Sequence, residues 1–144
     1  MFTHTQSGSE RLAIWRALRQ DSTITTPQDV VSAFASMVPE TRYLDFYTPN
    51  SWPTVFELVE EGMFCNSAIT LVMAATLDYF GFISSDKLRL DAISSHVTNE
   101  QGIVLIHQEL VYNFIPGQIV SHQYLAENST RYDSHIIATD KLYS

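Results

Sequence analysis

Apolar positions dominate one stretch of the chain. Residues 63–80, MFCNSAITLVMAATLDYF, are closed by Gly62 and Gly81 and leave little polar surface. A helix that is apolar nearly all round is a buried one, so Ile69, Leu71, Val72, Met73 and Leu77 are expected in the core. Its single small or polar stripe, Ser67, Thr70, Ala74 and Asp78, recurs at steps of three and four and lies on one face. Asn66 or Ser67 is placed to cap the first turn, and Gly81 suits the left-handed position past the last. Three shorter helical patterns precede this one. Residues 9–19 repeat Leu12, Trp15 and Leu18 at helical spacing after a polar arm, residues 1–8. Thr26-Pro27 is a cap followed by a proline in the first turn. It opens a helix that buries Val30, Val31, Phe34 and Met37 and stops before Pro39. Residues 51–62 form the third, with Ser51 as cap, Pro53 in the first turn, and Glu57, Glu60 and Glu61 facing solvent. Between these, residues 41–50 read as a short strand or an ordered loop.

After Gly81 the period changes from helical to alternating. Residues 87–94 place Leu88, Leu90 and Ala92 on one face of a strand, residues 99–102 turn, and residues 103–107 and 110–115 read as a hairpin. The Gln108-Glu109 link lacks the Asn-Gly chemistry of tight primed turns, which leaves a longer or bulged loop open. Pro116-Gly117 turns again, residues 121–128 read as a short helix, and residues 134–139 as a last strand. Helices first and strands after give an α+β fold, with N-terminal helices and a buried central helix packed on a small C-terminal antiparallel sheet. The 144 residues carry no repeat or linker and are read as a single domain, 1–144.

Charge narrows the partners. Sixteen acidic against eight basic residues give a net charge of -8, which repels phosphate backbones and anionic lipid, so neither nucleic acid nor a membrane is the expected partner. A protein partner or a homo-oligomer is expected instead. The start of the chain has neither a basic segment nor an apolar one of signal-peptide type, and the apolar run 68–77 is too short to span a bilayer. A lone cysteine excludes an internal disulfide and fits a reducing compartment, so a cytoplasmic or virion-associated protein is expected. Cysteine-based zinc clusters are excluded with it, and the histidines at 4, 96, 107, 122 and 135 lack the spacing of a helical metal pair. No metal and no cofactor are expected.

The cysteine is nonetheless well placed. Cys65 falls at the N-terminus of the central helix, where free amides and the helix dipole favour negative charge. As a nucleophile it needs a base from the sheet, and His96, just beyond the first strand, is the best-placed candidate; Asn113 is the candidate to orient it. Against this, free cysteine is among the most buried residue types and packs as a small hydrophobe. The aromatic cluster Tyr43, Phe46, Tyr47 and Trp52 is dense enough to form a docking surface.

A helix with cysteine at its N-terminus, followed by antiparallel strands carrying His and then Asn, resembles the papain/transglutaminase-like thiol fold. The resemblance covers residues 62–117 and rests on element order. It implies Cys65 as nucleophile, His96 as base and Asn113 as orienter. The sequence departs from that pattern: no Trp-rich or Gly-rich segment flanks Cys65, and Asn113 stands where transglutaminases carry aspartate. The segment WPTVFELVEEGMFCNSAITLVMAATL is also similar to small tailed-phage proteins. With no phosphate loop, metal cluster or specific triad motif, the sequence reads first as a non-enzymatic interaction or assembly protein, such as a phage virion or accessory component. The alternative is a cysteine-dependent acyl-transfer enzyme or hydrolase of the papain/transglutaminase-like class.

Overall fold

A computed structural model of the chain describes residues 1–3, 5–40 and 44–144. Among the described residues, five α-helices and a five-stranded antiparallel sheet make the α+β architecture that the change of period indicates. Helix α1 spans Gly8–Arg19, α2 Pro27–Phe34, α3 Val55–Glu61 and α4 Asn66–Tyr79. Strands β1 (Lys87–Ser95), β2 (Gln101–His107), β3 (Leu110–Tyr112) and β4 (Ile119–Ser121) follow, then α5 (His122–Asn128) and β5 (Ser129–Ala138). The strand order is β4-β3-β2-β1-β5, so the last strand in the chain lies beside the first.

Helix α4 is central. Eleven of its residues, Ser67 through Leu77, are buried, and the five expected core residues are all among them. The helix lies on the sheet face that carries Leu88, Leu90, Ile103 and Leu105, while α5 brings Leu125 to a smaller cluster on the other face with Ile93, Val104 and Ile106. The alternation of β2 supplies both cores: odd positions face α4, even ones face α5. Trp15 joins α1 to α4 through an indole N–H that donates to Thr76 Oγ1 at 3.0 Å.

Local chemistry sets the helix ends. Thr26 and Asp29 form a reciprocal capping box at α2, and Thr54 and Glu57 another at α3. The third helix therefore starts at Val55, not near Ser51; residues 49–51 form a separate 3-10 turn. Helix α2 ends at Phe34, which leaves Met37 beyond it, partly buried against the core. Cys65 itself, not Asn66 or Ser67, caps α4, its Sγ accepting the Ala68 N–H at 3.4 Å.

The hairpin between β2 and β3 is tighter than its composition suggests. Gln108 (φ 50°) and Glu109 (φ 66°) alone make the turn, both in the left-handed region that primed turns require. The strand after it is three residues long because Asn113 also adopts a positive φ of 66° and leaves the ladder. Residues 41–43 lie outside the described residues, and 44–48 form no strand.

The C-terminus is pinned to α4. Tyr143 donates its hydroxyl to Asp78 Oδ2 at 2.7 Å, and burial together with that carboxylate pushes the phenol well above its usual range. Above about pH 10 the unfolded chain releases this proton while the folded chain keeps it, so stability falls as pH rises from there. Tyr143→Phe is expected to flatten the alkaline arm of a melting-temperature-against-pH curve. Some slope persists from Tyr112, whose phenol is also raised by burial. An alkaline arm identical in the variant would show that Tyr143 ionises freely in the folded state.

Candidate functional site

The chain reaches Cys65 along a constrained path. Gly62 turns it with φ 77° at the end of α3, Phe64 stacks on Phe2 with ring centroids 5.3 Å apart, and Glu40 donates its backbone N–H to Phe64 O at 2.7 Å. Cys65 then begins α4, 8% exposed, in a surface depression whose other walls include Asn66, Ser67, Phe46, Glu100 and Gln101. An adjoining depression continues past Asn66 and Gly102 to Asn113 and Phe114. Glu100 and Gln101 stand across from the first turn of α4, and the Glu100 carboxylate accepts the Asn66 side-chain N–H at 3.1 Å.

The polar stripe of α4 docks on an open part of the sheet edge. Strand β3 pairs only with Leu105, Ile106 and His107, so the earlier half of β2 has no strand on that side. The Ser95 N–H bonds to Glu100 O at 2.8 Å, and ladder bonds alternate along antiparallel pairs. Gly102 and Val104 therefore bond toward β1, and the polar groups of Ile103 point away from it. Ser67 Oγ accepts the Ile103 N–H at 3.1 Å, and Thr70 Oγ1 donates to Ile103 O at 2.6 Å. Side chains of α4 thus occupy the rung that a missing strand would take.

Asn113 comes to the same place. Its side-chain amide donates to Asn66 O at 3.0 Å and to Thr70 Oγ1 at 2.8 Å, one residue and five residues past the cysteine. His96 does not come with it. Its Nε2 lies 2.8 Å from Thr130 Oγ1 and its backbone N–H donates to Asn128 O, which ties it to the β5 side. Of the other histidines, His107 ends β2 at the far end from Gln101, His122 lies near Glu109, and His135 contacts Phe46 O from β5. Among the described residues no imidazole lines either depression; His4 lies outside them. The structure therefore brings Asn113 to the first turn of the helix that Cys65 caps, and it adds Glu100 and Gln101, which read in the sequence only as part of a turn.

Of the aromatic cluster, Tyr43 lies outside the described residues. Phe46 and Trp52 pack against the core, with the Trp52 indole N–H on Asp45 O at 2.6 Å and its ring edge-on to His135. Tyr47 alone of the described members is mostly exposed, at 57%. Among the described residues, no three His, Cys, Asp or Glu side chains gather as metal ligands, and no helix is long and apolar enough to cross a membrane.

No family model and no curated protein matches the chain in sequence. Solved structures match it in fold. Calcium-bound LapG of Legionella pneumophila superposes with a TM-score of 0.65 at 17% identity, covering 94% of this chain and 81% of LapG. Two further LapG structures of that organism, one of them EGTA-treated, give TM-scores of 0.66 at 18% identity. They cover 92% and 91% of this chain, and 80% and 77% of theirs. LapG is a cysteine protease of the transglutaminase-like/papain-like fold. At this identity the likeness is one of fold. It overturns the first reading of the sequence, a non-enzymatic assembly protein of phage type, and the resemblance to phage proteins finds no support.

Proposed function

We propose that the chain is a cysteine-dependent acyl-transfer enzyme or hydrolase in which Cys65 is the nucleophile and the Glu100 carboxylate takes its proton. The observation that carries this is the position of Cys65. It caps α4, its sulfur already engages a helix N-terminal amide, and it opens on a cleft against the start of β2. The thiol-fold likeness of the whole chain supports the same reading.

In the first step Sγ bonds to the acyl carbon, the carbonyl π pair moves to oxygen, and the thiol proton passes to Glu100. The resulting oxyanion lies at the amino end of α4, where the Asn66 and Ser67 amides have no acceptor within the helix and the dipole favours negative charge. Collapse breaks the bond to the leaving group, which takes the proton back from Glu100. Water or an amine then attacks the thioester and gives its proton to the same carboxylate, and Cys65 is released as the thiol. Glu100 takes the role that the sequence assigns to His96, because it shares the cleft with the sulfur whereas His96 is engaged with Thr130. One LapG structure is calcium-bound. Among the described residues no three His, Cys, Asp or Glu side chains gather as metal ligands, and no step here is routed through a metal.

The test is turnover of a panel of peptidyl esters and thioesters. Cys65→Ala is expected to fall to the uncatalysed rate. Glu100→Gln is expected to lose about 10²- to 10⁴-fold, the usual contribution of a general base, while keeping an acceptor oxygen for Asn66. His96→Ala is expected to match the parent protein. Loss of activity in His96→Ala with Glu100→Gln unaffected would assign the proton to His96. Turnover surviving in Cys65→Ala would end the proposal.

A further inference from the structure

We infer that Asn113, acting through Thr70, is a positioning residue for the Cys65 thiol: it fixes the first turn of α4 against the open edge of β2. This rests on Cys65 being the reacting group, but it concerns how that group is held. In a thiol site with an imidazole, an Asn at this point of the chain orients the ring; here its two N–H bonds go elsewhere.

The hydrogen accounting is strict. Asn113 has two amide protons, and both are used, one on Asn66 O at 3.0 Å and one on Thr70 Oγ1 at 2.8 Å. Thr70 has one proton. Asn66 O lies 3.1 Å from its oxygen and Ile103 O 2.6 Å, so the shorter contact takes it. The chain of bonds therefore runs Asn113 to Thr70 to Ile103, with one donor and one acceptor at each step. Thr70 is fully buried, so none of these partners is replaced by water without cost. Ser67 closes the set by accepting the Ile103 N–H at 3.1 Å.

The geometry links this set to the sulfur. Asn66 follows Cys65 directly, supplies one of the amides aimed at the reacting oxygen, and is held on its other side by Glu100. A shift of the first turn moves Sγ, that amide and the Asn66–Glu100 contact together. Asn113 also accepts a left-handed backbone, φ 66°, to reach it. Asparagine tolerates that region better than most residues do, and glycine tolerates it without strain. The change Asn113→Asp would not preserve the role, since a carboxylate has no proton for Asn66 O or Thr70 Oγ1 and brings negative charge beside both.

Asn113→Gly separates positioning from folding, because it removes the amide while suiting the backbone. Its kcat is expected to fall about 10- to 100-fold with KM little changed, the scale on which a misplacement near 1 Å acts. Alkylation of Cys65 by iodoacetamide is expected to change rate in the folded protein as well. Thr70→Val is expected to reproduce both effects and Thr70→Ser to restore them, and the double variant Asn113→Gly/Thr70→Val to be no worse than either single one. The alkylation arm reads the sulfur even if no substrate is turned over, so failure of the enzyme reading and failure of this inference are distinguishable. Variants that lose stability but keep the parent kcat, KM and alkylation rate would overturn the positioning role.

Discussion

Replacing Arg11 with Met is expected to cost about 3–5 kcal/mol of folding stability, because it leaves several carbonyls without a donor, at about 1–3 kcal/mol for each one buried. Arg11 is 4% exposed in α1, and its guanidinium reaches across to the end of α3. Nε donates to Val59 O at 2.8 Å, one terminal nitrogen to Glu60 O, and the other to Thr3 O at 3.1 Å and to Gln6 O. Val59 and Glu60 are among the last carbonyls of α3, which have no partner inside the helix, and a cation there also suits the helix dipole. Methionine matches much of the volume but leaves these carbonyls without donors. Arg11→Lys is expected to recover only part of the loss, since an ammonium lacks the planar fork that serves all of them. Gly62 belongs to the same clamp. With φ 77° it has room for the guanidinium where a Cβ would collide with it, so Gly62→Ala is strained twice over. Denaturant unfolding of the three variants checks the account. A midpoint unchanged in Arg11→Met would mean that water serves the α3 carbonyls as well as arginine does.

Trp15→Ala is expected to cost about 3–5 kcal/mol as well, by a different route, the loss of a large buried ring. Trp15 has no exposed surface and fills the space between α1 and α4, with Phe56 edge-on at 5.4 Å and the Arg19 guanidinium 4.1 Å above the ring. Its hydrogen bond is the smaller part. Thr76 Oγ1 accepts the indole N–H but sends its own proton to Val72 O at 2.8 Å. Trp15→Phe therefore leaves no donor orphaned, and its hydrogen-bond loss is about 1 kcal/mol. Thermal unfolding of the pair separates ring volume from hydrogen bond. Equal losses in the two variants would show that the indole N–H, not the packing, dominates.

The parts legible in the sequence were those written in local periodicity. The continuous apolar surface of residues 68–77 marks α4 as buried, and the stripe of Ser67, Thr70, Ala74 and Asp78 marks one distinct face; only the fold shows that its start meets the backbone of β2. The alternation in residues 87–94 marked β1 in the same way. Strand β4 leaves no signal in the sequence, because three residues are too few to display a period. Ser51 and Thr54 are both capping types, but only Thr54 has Glu57 three residues on to complete the box, so α3 begins after Thr54.

What the local pattern does not hold is which strand lies beside which. Strand β5, last in the chain, pairs with β1, so His96 at the end of β1 meets Thr130 instead of the cysteine. The same strand brings His135 against Trp52 and Phe46, so these two members of the aromatic cluster pack within the fold while Tyr47 stays exposed. Glu100 and Gln101 read in the sequence as part of a turn, and only the docking of α4 on the open edge of β2 gives them a cleft to line. Polar residues on an otherwise apolar helix are the signal for such an edge, and here Ser67 and Thr70 carried it.

The most direct test is covalent capture of the acyl-enzyme. Folded protein would be incubated at neutral pH with a slim peptidyl acyl electrophile and its intact mass measured, followed by peptide mapping. The account predicts one equivalent of adduct on Cys65, absent in Cys65→Ala and formed more slowly in Glu100→Gln. A sulfur that takes up no adduct until denaturant unfolds the chain would contradict it, and would make Cys65 a helix cap and nothing more.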